Sequence, residues 1–273
     1  MALHQVRPRI LGFISEDVSA WLVASLVLLA GTVLTGLLTW AMMNLFNQQL
    51  RQRFELQAEE RFSRIEEHFQ DEELLLDSLG RFFANSEEVS NSEFHGYADA
   101  LLRRTRAFAW APRVLRDERQ AFEQQARAEV ASQFAIREAD DNGGLRQAAE
   151  RDEYAPVLYI HNRTPYGAPL GLDLLSEPLR RATLERARQR GGLVVSQPVD
   201  LMGADPVFAR GVLLVAPVIR KSASEPFGYV VAAISMRQLV GDGLPAPGHD
   251  NLSMRIMDLS VENAEEALFE SHN

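Results

Sequence analysis

Twenty-six consecutive residues, Val18–Met43, carry no charge, and the uncharged run continues to Leu50. About 20 apolar residues cross the hydrocarbon core of a bilayer, whereas the apolar part of a signal peptide has about 7–15. The run is therefore read as a transmembrane helix. Trp21 and Trp40 stand 19 residues apart, about 28 Å along a helix, so they suit the two membrane interfaces or ordinary lipid-facing positions. Arg7 and Arg9 precede the run, and Arg51 and Arg53 follow it. We read residues 1–17 as cytoplasmic, 18–43 as the span, and 44–273 as lying beyond it.

The remaining chain is long enough for a folded domain. Of its 273 residues 46% are hydrophobic and 24% charged, which argues against disorder. The net charge of −10 offers no dominant basic face, so nucleic acid is not an expected partner. Cysteine is absent, which excludes disulfides, cysteine-based metal sites and thiol nucleophiles. Lys221 is the one lysine beside 27 arginines, a bias that fits a GC-rich bacterial coding sequence.

Residues 44–85 read as a stalk helix. Gly80 is the first glycine after the span and no proline intervenes, while Phe62, Ile65, Phe69, Leu76, Leu79 and Phe83 follow heptad a/d spacing with Glu72 at the skipped position. Such a stripe faces either a sister helix in a parallel homodimer or the chain's own domain. A globular part begins after Ser86. Ser92 is placed to cap a helix bearing Phe94, Tyr97, Leu101 and Leu102, and Asp117 to cap another bearing Phe122 and Ala126. Phe134–Glu138 and Val157–Ile160 read as strands, with a turn at Asp140-Asp141-Asn142-Gly143-Gly144 between them. Ser176 and Pro178 open a helix through Arg190, which Gly191-Gly192 closes. Strands are expected at Leu193–Gln197, Gly211–Ile219 and Gly228–Ser235, and again at Leu252–Met257 after a Gly/Pro-rich break at Gly241–Gly248. The fold class is α+β with antiparallel sheets, in two halves of PAS-like size: 86–240, and the start of a second at 241–273.

Chemistry is sparse. None of His4, His68, His95, His161, His249 and His272 belongs to a zinc-protease motif, so no metal or cofactor is expected. The acidic turn fails the calcium-loop pattern, since Gly144, Leu145 and Arg151 occupy its fifth, sixth and twelfth positions. Asp152 and Glu153 stand beside Arg151 and read as solvated or paired rather than as an acid–base couple. No catalytic residue is assigned.

Several segments in order resemble one family. Phe108-Ala109-Trp110-Ala111-Pro112-Arg113-Val114 is followed by Arg151-Asp152-Glu153-Tyr154-Ala155-Pro156-Val157, Leu172-Asp173, Arg186-Ala187-Arg188, Ser196-Gln197-Pro198 and Gly211-Val212-Leu213-Leu214. From about Phe83 to Met257 this set resembles the CHASE domain. The resemblance implies an extracytoplasmic ligand sensor, built as a long helix and two PAS-like subdomains ahead of a histidine kinase or cyclic-di-GMP output domain. In the plant cytokinin receptors of that family an aspartate on the helix after Leu-Asp binds the purine; here Arg180 falls at that position. A guanidinium only donates, so Arg180 implies an anionic small molecule if it points inward, and a solvated helix residue otherwise. By the same resemblance Ser196, Leu201 and Met202 flank a ligand-contacting loop and Val215 lies on the pocket floor. Trp110 and Tyr159 are aromatic walls or core residues.

The expected protein is a single-pass bacterial inner-membrane sensor with a periplasmic ligand domain and a stalk dimer. No second spanning run follows Met257, so a truncated parent protein or an adaptor is expected; a structural protein or an anchored enzyme is the alternative.

Overall fold

A computed structural model describes residues 13–101, 107–140, 144–162, 169–202, 209–221, 223–241, 255–257 and 267–270. The chain divides into two compact units, Met1–Glu60 and Arg61–Asn273. One helix, α1 (Phe13–Asn85), contains both the uncharged run and the stalk. The expected boundary between Met43 and Asn44 is thus continuous helix.

In the first unit, every described side chain from Ala20 to Glu60 is exposed. The hydroxyls of Ser25, Thr32, Thr35 and Thr39 each donate to a backbone carbonyl three or four residues earlier, at 2.8 Å. These four hydroxyls are so satisfied within the helix itself.

The second unit is built on an antiparallel sheet. Its strands are β1 (Ala107–Pro112), β6 (Tyr159–Asn162), β7 (Val194–Val195), β8 (Val199–Asp200), β9 (Arg210–Val218) and β10 (Gly228–Ser235), in the order β6-β1-β10-β9-β7 with β8 also on β9. Small antiparallel pairs join β2 (Val114–Leu115) to β5 (Glu153–Tyr154), β3 (Arg137–Ala139) to β4 (Leu145–Gln147), and β11 (Arg255–Met257) to β12 (Ala267–Glu270). The helices are α2 (Asn91–Leu101), α3 (Arg119–Glu129), α4 (Pro178–Arg190) and α5 (Met236–Gly241).

Because side chains alternate along a strand, the central sheet presents two apolar faces and buries both. Phe108, Trp110, Tyr159, Val212, Leu214, Val230 and Ala232 join the end of α1 and α2 in one cluster. Ala109, Ala111, Leu213, Val215, Tyr229 and Val231 join α4 and the residues around Leu172 in another. This two-sided burial explains why β9 and β10 read as continuous apolar runs in the sequence.

Several local expectations are corrected. Ser90, not Ser92, caps α2: its Oγ accepts from Glu93 N–H and its own N–H donates to Glu93 Oε2 at 2.9 Å, a reciprocal capping box. Asp117 lies inside a short 3-10 turn, Arg116–Glu118, ahead of α3 and caps nothing. Glu177 rather than Ser176 caps α4, accepting from Leu179 and Arg180 N–H; Gly191 ends it at φ 65°, a backbone state only glycine adopts freely. The strands expected at Phe134–Glu138 and Val157–Ile160 begin later, at Arg137 and Tyr159. Leu102, the tip of the acidic turn at 141–143, the break after Gly241 and residues 252–254 of the last expected strand lie outside the described residues.

Of the two partners open to the heptad stripe, the chain's own domain takes most of it. Leu76, Leu79 and Phe83 are buried in the domain's own core, and Ile65 and Phe69 are half-buried against it. Phe62 alone of the six is exposed, at 68%. The upper stalk therefore spends its apolar face on its own sheet, since Phe83 stacks on Trp110 with ring centroids 4.0 Å apart.

Candidate functional site

The sheet's two faces separate the residues that sequence reading grouped together. Trp110 and Tyr159 pair across β1 and β6 on the α1 side, whereas Arg180, Val215, Leu201 and Met202 belong to the α4 side. Trp110 and Tyr159 are therefore not walls of a pocket that Arg180 reaches.

On the α4 side, Arg180 sits in the first turn of the helix, where Glu177 has already used its carboxylate on the backbone N–H groups of Leu179 and Arg180. Its side chain runs inward and is only 10% exposed, which excludes the solvated alternative. Nη2 donates to the Asp200 carbonyl of β8 at 2.9 Å, and Glu177 Oε2 forms a longer ion pair, 3.9 Å from Nη1. Burial pulls the guanidinium pKa down, against the weaker opposing pull of Glu177 and Asp200. A buried cation resting on a neutral carbonyl is poorly compensated.

Its surroundings come from three segments. Asp200 is fixed from the other side by Arg210 at 3.2 Å. Ser196 is tied into the sheet: its Oγ accepts from Leu213 N–H at 2.9 Å and donates to Gln197 carbonyl at 2.6 Å, so it orients the turn and has no proton to spare. Leu201 and Met202 are half-buried against the α4-side core, and Leu201 N–H donates to Ala209 at 2.7 Å. Val215 is fully buried in the sheet beneath. The fold thus brings Arg180, Leu201, Met202 and Val215 to one face of the sheet.

Asp173, of the Leu172-Asp173 pair, has a supporting role that sequence does not reveal. Its Oδ1 accepts from Ala155 N–H at 2.9 Å and Leu175 N–H at 3.0 Å, joining β5 to the segment that leads into α4. Burial raises its pKa, although those N–H groups and Arg151 pull the other way. Arg151 also pairs with Glu138 at 2.6 Å, and Glu138 takes Arg146 as well. Burial would raise the Glu138 pKa, but the hydrogen bonds from Arg151, Ala149 and Arg146 together hold it below the usual range. Arg151 thus answers buried carboxylates and does not activate Asp152 or Glu153.

On the opposite face, a cleft of about 180 Å³ is bounded by Phe83, Trp110, Phe122, Tyr159 and Phe227 and rimmed by Glu87, Glu88, Glu129 and Arg220. Tyr159 closes its floor by donating to Val89 carbonyl at 3.1 Å; burial first, then the charges of Glu129, Glu88 and Glu93, push its phenol up to about 12. Arg220 covers Phe227 and donates to Glu87 carbonyl at 2.8 Å. Among the described residues no three metal-binding side chains converge.

The sequence profile of the CHASE domain matches residues 87–269. No curated protein matches the chain. Among solved structures, the ligand-binding domain of the Pseudomonas aeruginosa PAO1 amino acid chemoreceptor PctB, in complex with L-Arg, is similar at 12% identity and a TM-score of 0.37. The alignment covers 71% of this chain and 60% of that one.

Proposed function

The chain belongs to the CHASE domain family, and from that premise we propose that it is the extracytoplasmic input of a signal-transduction protein, anchored in a bacterial inner membrane by residues 18–43. Residues 44–273 lie in the periplasm in this reading, with 86–240 forming a membrane-distal PAS-like part and 241–273 starting a membrane-proximal one. A histidine kinase or cyclic-di-GMP enzyme is the output. The ligand is a small molecule with a carboxylate or phosphate group, held between α4 and β9 on the face that carries Leu201, Met202 and Val215.

The observation that carries this reading is the buried Arg180 guanidinium, which donates to one backbone carbonyl and, among the described residues, meets only a long, 3.9 Å ion pair with Glu177. A ligand carboxylate or phosphate offers it a bidentate, charge-assisted acceptor, stronger than the neutral Asp200 carbonyl. Taking that acceptor loosens the α4–β8 tie and reseats α4, so a bound anion shifts the population between two arrangements of the domain. A purine recognised through a carboxylate in other family members meets a donor here instead of an acceptor.

Calorimetry on the full chain in lipid nanodiscs, with isopentenyladenine beside succinate, citrate and inorganic phosphate, tests this. At least one anion should bind and lose its heat of binding in Arg180→Ala, while isopentenyladenine gives none. Micromolar isopentenyladenine binding that survives Arg180→Ala overturns the proposal, and silence from every probe favours a structural or adaptor protein.

A further inference from the structure

α2 packs between the β6 edge of the sheet and the upper end of α1. Toward α1, Tyr97 stacks on Phe82 with ring centroids 4.3 Å apart, and its hydroxyl lies 2.8 Å from Ser78 Oγ. Toward β6, His95 Nδ1 lies 2.8 Å from His161 Nδ1, and His161 Nε2 lies 3.3 Å from Asp99 Oδ1. Both imidazoles are partly buried. We propose that this histidine pair makes the seating of α2 on the sheet sensitive to acid, so that the domain responds to the pH of its surroundings as well as to a ligand.

A 2.8 Å contact between two ring nitrogens requires one N–H donor and one bare acceptor. With both rings neutral, His95 Nδ1–H donates to His161 Nδ1 and His161 Nε2–H points at Asp99. The contact does not tolerate a proton on both Nδ1 atoms, because two N–H groups would then face each other across 2.8 Å with like charge.

The charged groups in reach are few among the described residues. Asp99 on α2 faces His161 from the helix side. Glu93, in the first turn of α2, is committed to Ser90. On α1 the packed side offers Ser78 and Phe82, and on β1 the residue paired with His161 is Phe108. Among the described residues His95 has no ion pair, and its ring hydrogen bond is to His161. Burial, and next the charge of His161, accordingly lower its pKa below 6.5. The sign follows: the seated state binds fewer protons than the released one, so seating is favoured above about 6.5, the ordinary histidine value, and is lost as pH falls through the depressed native value. Release of α2 frees Tyr97 from α1, the helix that leads toward the membrane span.

The acid response belongs to the fold and stands without the ligand reading; only its exposure to outside pH rests on the proposed topology. Hydrogen exchange of the full chain in nanodiscs after chelator treatment, at about pH 7.5 and 5.5 and corrected for intrinsic rates, is the test. Peptides of Asn91–Leu101 should lose protection at least tenfold at the lower pH while those of β9 and β10 do not, and His95→Gln should stay protected at both. Equal protection of α2 at the two pH values, or an acid response that persists in His95→Gln, overturns the proposal. If that variant fails to fold, histidine-selective NMR of the wild type decides: a His95 pKa at or above 6.5 refutes it. A shift of both histidine signals by micromolar zinc at neutral pH marks a metal pair instead and also refutes it. An alkaline phosphatase fusion after Gly248 reports the topology separately.

Discussion

Asp173 shows how one side chain of a family motif is used structurally. A carboxylate 1% exposed is tolerated because it satisfies two backbone N–H groups that nothing else reaches. Asp173→Ala strands both donors and should cost about 2–6 kcal/mol, from about 1–3 for each unsatisfied buried group. Asp173→Asn keeps an acceptor at Oδ1 and should cost far less. The pH dependence separates the two contributions. Because burial raises the native pKa above 3.8, the folded state keeps its proton to higher pH than the unfolded chain. The Asp173 contribution is full below 3.8 and declines as pH rises through the native value. The asparagine variant has no such loss, so its stability relative to wild type should improve from about pH 4 to neutral in urea unfolding. A relative stability that is flat over that range contradicts the assigned burial cost.

At the scale of elements, the α2 cap makes a clean prediction, since Ser90 supplies the hydroxyl for Glu93 N–H and binds its carboxylate. Ser90→Ala should loosen α2 by about 1 kcal/mol. Hydrogen exchange should show that loss equally at neutral and acidic pH, unlike the histidine effect. The sequence yields such elements unevenly. The hairpin β9–β10 and the helix α4 are legible because apolar runs and the Pro178 and Gly191 signals are local. The cap of α2 is missed because Ser90 and Ser92 offer the same chemistry, and only the position of Glu93 three residues after Ser90 distinguishes them. Which face Trp110 occupies is not legible at all. A one-residue change of register would exchange Trp110 for Ala109 or Ala111, and register is set by β6 and β10, some 50 and 120 residues away in the chain. The sequence grouping therefore puts Arg180 and Val215, which lie on one side of the sheet, together with two aromatics from the opposite face.

At the scale of the whole molecule, most of the stalk stripe is committed to the domain's own core and Phe62 alone of the six is exposed, which changes how a homodimer should be tested. Substituting Ile65 or Phe69 with Glu damages the domain's own packing, because both rest on its core. Neither variant distinguishes a broken dimer from a broken fold. Phe62 is free of that ambiguity: it is exposed within the second unit and belongs to the same heptad series. If residues 44–85 pair two copies in parallel, Phe62 is an a/d position of that seam, and a charge there is buried against its twin. Phe62→Glu should then leave urea unfolding of the domain within about 0.5 kcal/mol of wild type, as for other exposed positions. It should also convert a dimer to monomer in sedimentation of the full chain in detergent. A wild-type chain that sediments as a monomer at high concentration, or a Phe62→Glu dimer of unchanged affinity, removes the stalk from the dimer interface and leaves its apolar stripe to the domain alone.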